Sequence, residues 1–116
     1  MPGIKRCGNI IAVKPGMLER YIEFHRHQSD EIRDLLRAAG CVKCDIYAVD
    51  LGGTAYLFQS VEIDEAQRSV DLSRSEAYEE WARLTSECQS PILGADLWKE
   101  MDCVYTLDKA EGGEEG

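Results

Sequence analysis

Tyr21 and His25 stand four residues apart in the stretch MLERYIEFHRHQSDEIRDLLRAAGC, residues 17–41. If that stretch is helical, its period stacks the two side chains on one face, one turn apart. A phenol and an imidazole held together can donate and accept protons near neutral pH, because the unperturbed imidazole pKa is about 6.5. The alternative is an amphipathic helix whose Tyr and His border the core. Trp81, on the apolar face of a helical pattern, and Tyr47, on a strand-like one, are the aromatic side chains to weigh beside this pair. Trp81 can equally be an aromatic of the core, and Tyr47 and Glu31 either line a pocket or sit on a structural surface.

Other reactive types are less suggestive. His25-x-His27 makes a poor metal pair, since positions i and i+2 diverge on a helix and no partner ligands stand out. Cys41-x-x-Cys44 has the spacing of a redox motif but lies at the end of a helical pattern rather than the start. It also lacks the second pair a zinc site needs. With Cys44 in a strand-like run, the two thiols are expected on opposite faces. No metal and no cofactor is expected.

The elements that position these residues follow from periodicity and punctuation. Residues 9–14 (NIIAVK) read as a first strand, stopped by Pro15-Gly16. Met17, Leu18, Tyr21 and Ile22 recur at helical spacing. The pattern hesitates at Gln28-Ser29-Asp30, where Ser29 or Asp30 can cap a second segment that ends at Gly40. Residues 41–51 form a second strand, with Val42, Cys44, Ile46 and Ala48 on one side. Gly52-Gly53-Thr54 is a hairpin turn, and residues 55–62 form the third strand. Asp64 can cap a short turn. Ser73-x-x-Glu76 is the expected capping box of a helix that reaches about Gln89, with Ala77, Trp81 and Leu84 on its apolar face. Residues 97–107 alternate as the closing strand, and the acidic, glycine-rich 109–116 is expected to be a disordered tail.

The order strand, helix, strand, strand, helix, strand is that of an α+β, ferredoxin-like βαββαβ domain over residues 1–108, with both helices on one face of an antiparallel sheet. Apolar residues on both faces of the strands would leave the uncovered face exposed in a monomer, so a homodimer is expected. The chain has 116 residues, 44% hydrophobic and 30% charged, which suits one soluble domain. Its net charge of −9 disfavours nucleic acid and anionic membrane surfaces as partners. No apolar run approaches a membrane span of roughly 18 residues and no charged-then-apolar leader is read at the start, so a cytoplasmic protein is expected. Five cysteines cannot all pair within the chain, and reduced thiols suit the cytoplasm.

Taken together, these residues resemble the L-rhamnose mutarotase family of dimeric ferredoxin-like α/β barrels. The resemblance rests on Tyr21-x-x-x-His25, Glu31, Gly40 with Ile46-Tyr47, the strand Phe58-Gln59-Ser60-Val61-Glu62, Trp81 and the closing Val104-Tyr105, over about residues 9–107. It implies an isomerase that interconverts the α and β anomers of a 6-deoxy-L-sugar, with a monosaccharide as substrate and no cofactor. On that resemblance His25 is the catalytic proton donor, and Tyr21 and Trp81 contact the sugar. The chain departs from the family pattern at Ser29-Asp30 (Trp-Pro in the family), at Cys44 (a substrate-contacting Tyr) and at Ala82 (a second Trp). The proton-transfer pair is thus retained while the sugar-contacting wall changes, which leaves L-rhamnose and L-fucose both open. Two further readings on the same scaffold are a cofactor-independent monooxygenase and a non-catalytic ligand-binding dimer.

Overall fold

The computed structural model describes residues 3–92 and 94–107. The first strand, β1 (Ile4–Val13), is longer than residues 9–14, because its whole length pairs antiparallel with β3 (Thr54–Asp64), from Ile4 opposite Asp64 to Ala12 opposite Tyr56. The polar, half-exposed start of β1 carries no apolar signal, and it is the pairing that makes it a strand. β2 (Cys41–Leu51) pairs with the other edge of β3. The β2–β3 connection is a two-residue hairpin in which Gly52 (φ 66°) and Gly53 (φ 94°) both take the left-handed region.

The helical stretch is broken as expected. α1 (Leu18–Arg26) and α2 (Asp30–Ala38) are separate, and the Ser29 side chain accepts a hydrogen bond from the Ile32 N–H as the cap of α2. Gly40 follows α2 at φ 97°, where a Cβ would lie 2.8 Å from the Asp64 carbonyl oxygen, so the helix can hand directly into β2 only through glycine. α3 (Glu76–Ser86) is capped by Ser75, whose hydroxyl accepts from the Tyr78 N–H, and not by Ser73, which lies in a 3-10 turn over Leu72–Arg74. A second 3-10 turn, Glu65–Gln67, is capped by Asp64 as anticipated.

The closing strand differs from the expected 97–107. α3 stops at Ser86, and β4 (Gln89–Ser90) and β5 (Lys99–Met101) share the remaining edge of β1: Gln89 and Ser90 face Val13 and Ala12, and Lys99 to Met101 face Ile10 to Gly8. They are two pieces of one strand position, interrupted by an excursion over residues 91–98. Leu97 and Trp98 leave the alternation to pack on the core. Residues 102–107 pair with no strand, and Val104, Tyr105 and Leu107 are exposed. The acidic tail expected over 109–116 lies outside the described residues.

The sheet order β2-β3-β1-β4, with β5 also on β1, and the helices on one side make the ferredoxin-like arrangement. Fully buried Ile11, Leu57 and Cys88 form the core with Val13 and Tyr21, at the end of the sheet that α1 covers. Register places Ile10, Phe58 and Tyr47 in a row across the opposite, uncovered face, with Ala12, Tyr56 and Val49 beside them.

Candidate active site

Between the sheet and the helices lies a half-open cavity of about 810 Å³. Such volumes suit small-molecule sites, which run roughly 300–1,000 Å³. Its floor is the helix-facing side of β2 and β3, where Ile46 and Gln59, then Cys44 and Val61, stand opposite one another. A bulge between Cys41 and Lys43 resets the alternation of β2, so Cys41 joins Cys44 on the cavity wall. The two thiols therefore share a face, contrary to the expectation from uninterrupted alternation.

Tyr21 and His25 meet at one end of this cavity. Tyr21 is 4% exposed, and its ring lies with its centroid 4.5 Å from that of His25, tilted by 43°. On the other side His25 meets Trp81 of α3 edge-on, at 5.0 Å and 75°. The imidazole is thereby held between a phenol ring and an indole. Its Nδ1 lies 3.0 Å from the backbone carbonyl oxygen of Tyr21. A carbonyl can only accept, so Nδ1 carries the proton and donates it there. In the neutral ring Nε2 is then the unprotonated nitrogen, and it has no hydrogen-bond partner among the described residues. Burial lowers the His25 pKa from its usual value, against the opposing pull of the backbone bond, so the neutral ring prevails at pH 7.

The remaining polar groups of the wall are also neutral. Burial raises the Tyr21 pKa far above the phenol range, with Cys44 adding and the neighbouring Gln89 side chain opposing. Gln89 is itself 3% exposed, so both groups lie inside the protein. Tyr78 is raised by burial and then by Cys44 and Cys41. The Cys44 thiol is pushed up to about 11 by burial, with Cys41 and Asp45 adding. A thiol so shifted is a poor nucleophile. The charged residues that border the cavity, Arg26, Arg68 and Asp71, are exposed, and each is satisfied nearby: Arg26 pairs with Glu23, Arg68 pairs with Glu65, and Asp71 accepts from Ser73. The interior suits an uncharged, hydroxyl-bearing ligand.

The structure thus brings Tyr21, His25 and Trp81 together. Tyr47 borders the cavity, but register sets it opposite Phe58 on the uncovered face and it is 63% exposed. Glu31 is exposed on α2, away from the lining. His27 turns outward to Glu23, 3.2 Å away. Among the described residues no group of three or more His, Cys, Asp or Glu side chains could hold a metal ion. Sequence reasoning passes over Tyr78, although its position three residues before Trp81 puts it on the same helix face. It also misses Gln89, which the periodicity places at the end of a helix. Gln59 is legible only as part of a strand.

No helix among the described residues is long and apolar enough to cross a membrane. No curated protein matches the chain. Among solved structures, an L-rhamnose mutarotase from Formosa agariphila superposes with a TM-score of 0.65 at 20% identity, over 90% of this chain and 99% of that one. A protein described as a putative antibiotic biosynthesis monooxygenase from Bordetella bronchiseptica superposes with a TM-score of 0.56 at 22% identity, over the same shares. At those identities both likenesses speak to the fold. The family model described as L-rhamnose mutarotase matches residues 6–107, nearly the whole domain, and the chain belongs to that family.

Proposed function

We propose that this protein is a sugar mutarotase that interconverts the α and β anomers of a 6-deoxy-L-sugar, with His25 as the proton carrier. The observation that carries the reading is the clamped imidazole: Nδ1 is fixed on the Tyr21 carbonyl, and the basic Nε2 is left free at a neutral cavity. Mutarotation needs one proton moved from the anomeric hydroxyl to the ring oxygen. Nε2 takes the hydroxyl proton, the bond between the anomeric carbon and the ring oxygen breaks as the carbonyl forms, and the imidazolium returns the proton to the ring oxygen. Rotation of the open aldehyde presents its other face, and the same steps in reverse close the ring. No net proton is gained or lost, so a single residue that is neutral at rest suffices.

Tyr21 serves as a wall against which His25 and the sugar are oriented, and Trp81 offers apolar ring surface to the C–H side of the pyranose. Tyr47 is assigned to the cavity mouth. All five cysteines are unpaired, which fits a reducing compartment such as the cytoplasm. The working unit is a homodimer joined through the uncovered sheet face, where Tyr47 and Val49 flank Phe58 and Tyr56 in an apolar patch too broad to leave in water.

The test is NMR magnetisation exchange between the anomers of L-rhamnose and L-fucose, with glucose as the control. Wild type should accelerate exchange for at least one deoxy sugar, and His25→Ala should lose most of that acceleration. Equal rates with wild type and His25→Ala would remove the imidazole from the mechanism.

A further inference from the structure

Leu57, Gln59, Val61 and Ile63 all line the same cavity from alternate positions of β3. Three two-residue steps along a strand cover about 20 Å, several times the width of one pyranose ring. The His25 end lies at Leu57, because Tyr21 packs in the core beside that residue. The far end lies at Ile63, whose side chain approaches Gly40 just after α2. There the wall is made by Leu36 of α2, by Ala39 just after it, and by Val70 and Leu72 of the segment that crosses it. That segment is tied to α2 where the N–H groups of Ser69 and Val70 both donate to the Ala38 carbonyl, at 2.6 and 3.1 Å. The far compartment is therefore a built part of the fold. Its interior is mainly apolar, with the protonated Cys44 thiol opposite Val61, the Cys41 side chain opposite Ile63 and the Tyr78 ring nearby, and the charges at its rim are occupied by Glu65 and Ser73.

A sugar placed at His25 fills only the first part of this space, and the mainly apolar far part, walled by Leu36, Ala39, Ile63, Val70 and Leu72, offers its hydroxyls few partners. We infer that the ligand of this cavity is a deoxy sugar carrying an apolar substituent, with the sugar ring at His25 and the substituent between Ala39, Ile63 and Val70. The inference rests on the mutarotase reading, which also restricts where the substituent sits. The anomeric oxygen must keep its proton for the ring to open, so the substituent is an ether or ester on another ring hydroxyl. The acidic 109–116 segment, with Ala110 as its single apolar side chain, has no chemistry for such a compartment.

The experiment compares anomer exchange of L-rhamnose with that of its propyl ethers, one for each ring hydroxyl other than the anomeric one. It uses the wild type and Ala39→Phe, which fills the far compartment without touching Tyr21, His25 or Trp81. Val70→Phe is the second variant in case Ala39→Phe does not fold. Each buried methylene is worth roughly fourfold in affinity, so at least one ether should exceed L-rhamnose by about tenfold or more in kcat/KM. Both filled variants should lose that advantage while keeping the rate on L-rhamnose. Exchange of L-rhamnose with none of the ethers accepted, or an equal change on both sugars in the filled variants, would overturn the inference and leave the mutarotase reading intact. If no sugar exchanges, that reading fails, and saturation transfer from the protein to the propyl protons decides the rest. A transfer signal seen with wild type and abolished in the filled variants supports the assigned ligand; no signal with wild type overturns it.

Discussion

The backbone carbonyl of Tyr21 holds Nδ1 of His25 at 3.0 Å, one helical turn later, and so determines which imidazole nitrogen can act as a base. The sequence spacing of four residues that suggests a phenol–imidazole pair therefore has a second consequence. It is the main chain of Tyr21, as much as its ring, that fixes the orientation of the His25 imidazole.

Because burial depresses the His25 pKa, the neutral ring that the proposed mechanism uses should persist below the usual imidazole pKa. Exchange rates should stay level through neutral pH and fall in acid, with an apparent pKa below about 6.5. Stability follows the same sign. The unfolded chain binds the proton at about 6.5 and the folded chain only below that, so stability is lost as pH drops from about 6.5 toward the folded value. Imidazole titration by NMR, with denaturation of wild type and His25→Gln at pH 7 and pH 5, checks both. His25→Gln should show the smaller loss between the two pH values.

If His25 carries the proton as proposed, removing its imidazole should be far more costly than removing the Tyr21 hydroxyl. General acid–base groups contribute about 10²–10⁴-fold, and His25→Ala should lose that much of the exchange rate at pH 7. Tyr21→Phe keeps the ring stack, and its rate should fall by less than about tenfold.

The penalty of Tyr21→Phe should instead appear in folding. It takes the phenol hydroxyl away from beside the buried Gln89 side chain, a loss of about 1–3 kcal/mol by urea denaturation if the two groups satisfy one another. Gln89→Leu should be destabilising by a similar amount. The double variant should recover part of the loss, since neither group is then stranded.

Phe58→Asp places a charge in the middle of the uncovered face, opposite Tyr47 and Ile10. Sedimentation should show a dimer for wild type and a shift to monomer for the variant. A monomeric wild type would dispose of the dimer altogether.

Gly40→Ala should cost about 1–3 kcal/mol. Its φ of 97° and the 2.8 Å approach to the Asp64 carbonyl leave no place for a Cβ. Thermal unfolding measures the loss, and the lowered Tm should come with the α2–β2 junction as the first region to exchange its amide hydrogens.

What the sequence determined by itself was everything that depends on near neighbours. Period and caps set α1 and α2 apart at Ser29, turn chemistry put Gly52-Gly53 between two strands, and spacing placed Tyr21 above His25. Tertiary structure decided what depends on pairing across the chain. The free edge of β1 drew Gln89 and Ser90 out of the expected helix and split the last strand around residues 91–98. A bulge in β2 put Cys41 and Cys44 on one wall, which no alternation count foresees. The meeting of His25 with Trp81, and of Tyr21 with Gln89, required α3 and β4 to fold back over α1. Such contacts join residues far apart in the chain, where local periodicity carries no information and only packing selects the partner.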